Sequence, residues 1–123
     1  MATLPQDLDG VEFNFIAPQG FSYDFKVTIL DEAGAPVDLT GETVELAVKA
    51  GYKEPVALLL DTASSPSTLI ITDPTDGEIF VHFDGDDTLL LSAPRTYVYD
   101  LKVGEYRKVW GNMMLRPGVT TNA

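Results

Sequence analysis

The sequence predicts an all-β fold, an antiparallel β-sandwich of about seven or eight strands. Three observations carry this. Apolar residues recur at every second position through most of the 123 residues, the period of a strand with one face in a core and the other in water. Turn-forming clusters break these runs at short intervals: DEAGAP at 31–36, DPTDG at 73–77, DGDD at 84–87 and VGEY at 103–106, the spacing of sandwiches and small barrels. No stretch keeps a helical period. A chain of this length makes one compact domain and is too short for two separate cores. The expected sandwich spans 11–116, between an N-terminal arm at 1–10 and a C-terminal arm at 117–123 that lack a burial pattern.

In chain order, VEFNFI puts Val11, Phe13 and Phe15 on one face. FSYDFKVTIL does the same with Phe21, Tyr23, Phe25, Val27 and Ile29, leaving Ser22, Asp24, Lys26 and Thr28 for water. TVELAVK turns Val44, Leu46 and Val48 inward, EIFVHF turns Ile79, Val81 and Phe83, and TYVYDLKV turns Tyr97, Tyr99, Leu101 and Val103. Shorter strands are expected at 56–60, 68–72 and 108–115. DDTLLLSA predicts one short helical turn, capped by Asp86 or Asp87 and stopped before Pro94. Tyr97 follows a crossing connection and opens a strand, where the tyrosine corner of a sandwich sits, so its hydroxyl should bond backbone upstream near Leu91.

The run Gly34-x-Pro36-x-Asp38-Leu39-Thr40-Gly41-x-x-Val44 reads first as turn chemistry. Gly34 permits a positive φ, Pro36 presets the exit, Asp38 or Thr40 bonds nearby backbone, Leu39 anchors the loop, and Gly41 reverses the chain into the Val44 strand. It also resembles a signature of small immunoglobulin-like domains in tailed-phage virion proteins, most closely the N-terminal domain of phage baseplate upper proteins. The order downstream is similar: Asp76-Gly77-x-Ile79, Thr88 to Leu91, then Tyr97-x-Tyr99-Asp100. The resemblance covers about residues 12–119 and departs at Pro94-Arg95, where the family has a glycine. It implies an immunoglobulin-like sandwich, a structural virion protein, and no catalytic residue. Family members continue into a receptor-binding or coiled-coil portion not seen here, so the expectation is a small accessory or connecting component.

Composition narrows the chemistry. With 19 acidic and 8 basic residues the net charge is −11, which repels phosphate backbones and anionic lipid heads and argues against nucleic-acid or membrane partners. The chain lacks cysteine, which excludes thiolate sites and disulfides. Its start carries no secretory signal, and no apolar run reaches the length of a membrane span. Residues 95–123 hold 5 bases and 2 acids, whereas residues 1–94 hold 3 bases and 17 acids. That asymmetry either docks molecules to one another or disappears as charges mix across a sheet.

Candidate sites are few. Asp73, Asp76, Glu78, Asp84, Asp86 and Asp87 crowd two turns; Asp84, Asp86 and Asp87 resemble a calcium loop but lack its full ligand pattern, and turn chemistry by itself explains them. Neither a metal nor a cofactor is expected. His82 reads as a solvated strand residue. No nucleophile or phosphate-binding motif is present, and no cleft is evident for paired carboxylates, so the chain is read as non-enzymatic. Protein contact is the remaining route. Trp110 with Met113 and Met114 beside Arg107 and Lys108 either forms an apolar patch or packs Trp110 in the core, and Tyr52 and Tyr106 sit at loop tips. The expected function is a structural tail, baseplate or connecting protein of a virion, contacting other virion proteins or copies of itself. Head decoration of the capsid and recognition of host surface glycans are the alternatives.

Overall fold

The computed structural model describes residues 11–31 and 33–118. The expected N-terminal arm and residues 119–123 of the C-terminal arm lie outside them. In the described residues nine strands form two sheets: β1 (Val11–Glu12), β2 (Phe15–Pro18), β3 (Tyr23–Thr28), β4 (Val44–Lys49), β5 (Val56–Asp61), β6 (Thr68–Asp73), β7 (Glu78–Phe83), β8 (Arg95–Val103) and β9 (Tyr106–Arg116). A 3₁₀ turn (Pro74–Asp76) joins β6 to β7, and one helical turn, α1 (Gly85–Thr88), leads from β7 towards β8. The larger sheet runs β9-β8-β4-β5, with β1 and β2 both beside β9; the smaller runs β3-β7-β6. Alternation fixes which face goes inward. Val44, Leu46 and Val48 of β4 and Ile79, Val81 and Phe83 of β7 are buried, and their neighbours in sequence are not.

The N-terminal strand departs from the antiparallel expectation. It is broken into β1 and β2, and both pair parallel with β9, Val11 beside Val109 and Pro18 beside Arg116. The break has a local cause. Asn14 Oδ1 reaches across and accepts from the Asn112 amide at 2.8 Å. Gly111 lies so close that a Cβ there would stand 2.4 Å from the Phe13 carbonyl. Side-chain alternation is identical in parallel and antiparallel strands, which is why the sequence could not show this pairing.

Phe15 is the centre of the seam. Its ring lies 5.0 Å from that of Phe25, 5.2 Å from Tyr99, 5.4 Å from Tyr23 and 5.8 Å from Phe83. Tyr99 also donates its hydroxyl to the Phe13 carbonyl at 2.5 Å, tying the first strand to the sheet. Burial, with a smaller contribution from Tyr23, pushes its phenol well above the ordinary range. Phe21, expected on the core face, is exposed, because β3 begins at Tyr23 and a turn closed by the Phe21 amide on the Pro18 carbonyl precedes it.

The signature loop is built as its residues suggest. Gly34 and Gly41 take φ of 84° and 79°, Leu39 is fully buried, and Asp38 Oδ1 accepts from the Thr40 amide at 2.9 Å. The bonds from Thr40 hold the Asp38 carboxyl below its usual value. A folded-state value below the unfolded one means stabilisation present above the unfolded pKa and lost as pH falls through the folded one. The stability gap between wild type and Asp38→Asn should therefore close on acidification, read as converging urea midpoints.

The helical turn is capped by Asp84, two residues before Asp86 and three before Asp87, the expected caps: Asp84 Oδ2 accepts from the Asp86 amide at 3.0 Å. Gly85 occupies the first helical position because it packs on the backbone of Gly20, where a Cβ would meet the carbonyl oxygen at 2.5 Å. The chain then reaches the expected corner. The Ser92 amide donates to the Tyr97 hydroxyl at 2.8 Å, five residues upstream. Tyr97→Phe leaves that amide without its partner and is expected to cost about 1–2 kcal/mol, measurable as a fall in the denaturant midpoint at unchanged slope.

Candidate interaction surface

Successive residues of β9 face opposite ways. Val109, Met113 and Leu115 point into the seam, and Trp110, Asn112, Met114 and Arg116 lie on the outer face of the large sheet. Trp110 is thus a half-buried residue of that outer face and lies outside the core. The Arg107 guanidinium sits 5.4 Å from its ring centroid, a cation–π contact that covers a face a sugar would need for stacking. Trp110 Nε1 is buried and, among the described residues, donates to no acceptor.

The sequence-based interface residues do not form one patch. Met113 is corrected to the core: at 0 % exposure it offers nothing to a partner. Met114 is exposed beside Ile16 of β2, its register partner, and the two line a hollow of about 440 Å³ with Asn14, Phe15, Thr96 and Asn112. At the opposite end of β9, Tyr106 is 71 % exposed at the β8–β9 hairpin. Lys108 Nζ lies 5.7 Å from its ring centroid, and both border a second hollow of about 540 Å³ with Val37, Glu42, Val103 and Glu105. Tyr52, 67 % exposed, belongs to the β4–β5 connection and borders a shallow hollow with Ala47, Lys49 and Val98. Sequence reasoning missed Ile16, Val56, Leu59 and Leu90, all exposed. For Ile16 the signal was available, since it alternates out of the face that holds Phe13 and Phe15.

The acidic turns do local work. Asp73 caps the 3₁₀ turn by accepting from the Asp76 amide at 3.3 Å, and its carboxylate raises the Asp76 pKa, first through a side-chain hydrogen bond between the two carboxyls and then by charge repulsion. Asp84 caps α1, and Asp87 Oδ2 accepts from the Ser67 amide at 3.1 Å. Among the described residues no group of three metal-ligating side chains is gathered, so Asp84, Asp86 and Asp87 do not converge as a calcium site would require. His82 is half-buried and not simply solvated. Its Nδ1 lies 2.6 Å from Asp24 Oδ1, and its Nε2 lies 3.7 Å from Asp84 Oδ1. Of the basic residues of the last strands, Lys102 meets an acid across the sheet, its Nζ 3.3 Å from Glu45 Oε1, whereas Arg95, Arg107 and Lys108 lie over the rings of Tyr97, Trp110 and Tyr106. No described helix is long and apolar enough to cross a membrane.

No protein-family model matches the chain, and no curated protein matches it. Solved structures do. The N-terminal domain of phage TP901-1 ORF48 superposes with a TM-score of 0.54 at 9 % identity, covering 94 % of this chain and 95 % of that one. The second immunoglobulin domain of the mouse polymeric immunoglobulin receptor superposes with a TM-score of 0.50 at 9 % identity, covering 89 % of this chain and 99 % of that one. At such identities the common property is the fold, and the two sheets, the tyrosine corner and these likenesses together make the chain an immunoglobulin-like β-sandwich.

Proposed function

We propose that this chain is a structural, non-enzymatic component of a tailed-phage virion, in the tail or baseplate, working through protein–protein contacts. The observation that carries the reading is the likeness to a phage protein domain over nearly the full length of both chains. The site geometry supports it. Asp73 and Asp84 cap turns, Asp87 accepts from the Ser67 amide and Asp24 pairs with His82, so these acidic side chains are held in structural roles. Exposed apolar and aromatic residues lie on the outer face and hairpin tips of a rigid sandwich. Many copies arranged by symmetry multiply weak contacts, so each patch needs only modest affinity. The arms at 1–10 and 117–123 are proposed to dock into neighbouring subunits.

The test is localisation in purified particles. Cryo-microscopy should show the sandwich in tail or baseplate density; density on the capsid surface would replace this reading with head decoration, and absence from particles would end both. Removing residues 1–10 and 117–123 should abolish incorporation while leaving the circular dichroism unchanged. Unchanged incorporation would remove the arms from the attachment.

A further inference from the structure

Among the described residues β5 is the last strand of the large sheet, with β4 as its one ladder partner. Five consecutive apolar residues, Val56 to Leu60, build it, and Val56 and Leu59 are 49 % and 43 % exposed. Among the described residues no hydrogen bond outside the β4–β5 ladder reaches the backbone of these five. Only Asp61, at the strand end, is closed off: its amide donates to Ser64 Oγ at 2.9 Å and its carbonyl accepts from Thr68 Oγ1 at 2.9 Å. Natural edges of this kind are blunted by charges or proline within the strand, and none stands between Val56 and Leu60.

We propose that this edge joins two copies of the chain, β5 pairing antiparallel with β5 of a second copy about a two-fold axis at Leu59. Two large sheets then become one. Directly opposed residues of an antiparallel pair share a face, and this register meets the condition. Leu59, beside the outward Ala47, faces its own counterpart, and Leu58, beside the inward Val48, faces Leu60, beside the inward Leu46. Charge favours the same arrangement. Lys49 is the register partner of Val56 at one end of the edge, and Glu45 is the partner of Asp61 at the other. Antiparallel pairing therefore sets Lys49 of each copy towards Asp61 and Glu45 of its mate, twice by symmetry. The β6 edge of the small sheet lacks this complementarity, because β6 ends in Asp73 beside Glu78. A five-residue edge buries less than the roughly 1,200 Å² of a stable interface, so the pair is weak, with a dissociation constant on the order of 10–100 μM.

Sedimentation equilibrium of the full chain tests this. The expected result is a monomer–dimer equilibrium approaching twice 13.4 kDa at high concentration, and Leu59→Glu, which opposes two carboxylates on the axis, should weaken it at least tenfold while the circular dichroism stays unchanged. Amide exchange of wild type provides a reading free of any variant: the Leu59 amide, which shares the outward direction of Asp61, should gain protection as concentration rises, and Thr68 to Thr72 should not. A strictly monomeric wild type, a dimer indifferent to Leu59→Glu, or concentration-dependent protection confined to another strand would each overturn the proposal. The pairing stands apart from the virion reading, since either can fail alone.

Discussion

Phe15→Ala is expected to destabilise the fold by about 4 kcal/mol, the range of a buried aromatic truncated without collapse of its site. Four other rings face Phe15 within 5.8 Å, from both sheets. Removing the ring takes the contact surface from all four at once, and close-packed neighbours on rigid strands relax only in part. At a few degrees per kcal/mol for a domain of this size, the melting midpoint should fall by roughly 15–30 °C, followed by circular dichroism. Phe21→Ala is the control. The same side chain is lost from an exposed turn, and the shift should stay within about 1 kcal/mol. A Phe15→Ala loss no larger than that of Phe21→Ala would show that the seam is held elsewhere.

Gly77→Ala is the second large effect, expected at about 3 kcal/mol from left-handed backbone and overpacking together. Gly77 closes the 3₁₀ turn with φ of 67°, and a Cβ there would stand 2.6 Å from the Ile29 carbonyl and 2.9 Å from the Val37 carbonyl. Both obstacles are backbone, so no side-chain rotation relieves them. The damage would spread along the Ile29 amide bond to the Gly77 carbonyl and the Leu39 amide bond to the Pro74 carbonyl, which knit this turn to the signature loop. Gly34→Ala separates the two contributions: φ is again positive, at 84°, but nothing lies within 4 Å of the added carbon, so only the backbone cost of about 1–2 kcal/mol remains. Equilibrium urea unfolding of the pair checks the difference, and equal losses would remove crowding from the explanation.

Alternation made the sheets legible wherever one face is buried and the other wet: β4, β7 and β8 carry the inward residues that their sequence period indicates. The signature loop was legible too, because Gly34, Asp38, Leu39 and Gly41 each have one conformational or packing role. What period two cannot encode is which strand lies beside which, so the parallel pairing of β1 and β2 with β9 was hidden. The cap of α1 was placed late because the closeness of Gly85 to Gly20 is a tertiary fact. The interface residues were grouped by nearness along the chain, and adjacent positions on a strand point apart. Met113 went to the core and Met114 to the surface for that reason alone. Trp110, with both readings open in the sequence, was settled by its parity with Met114.

The parallel ladder of β1 and β2 on β9 also decides how the molecule bears a load. Chain enters that ladder beside Val109 and leaves at Arg116, seven residues further along β9, so the two exits stand about 23 Å apart at a strand rise of about 3.3 Å per residue. Tension applied between neighbours at the two termini runs along the strands and loads the ladder in shear, all rungs together, where a hairpin would unzip one rung at a time. Pulled at its two ends, such a sandwich would respond as a stiff link instead of a hinge.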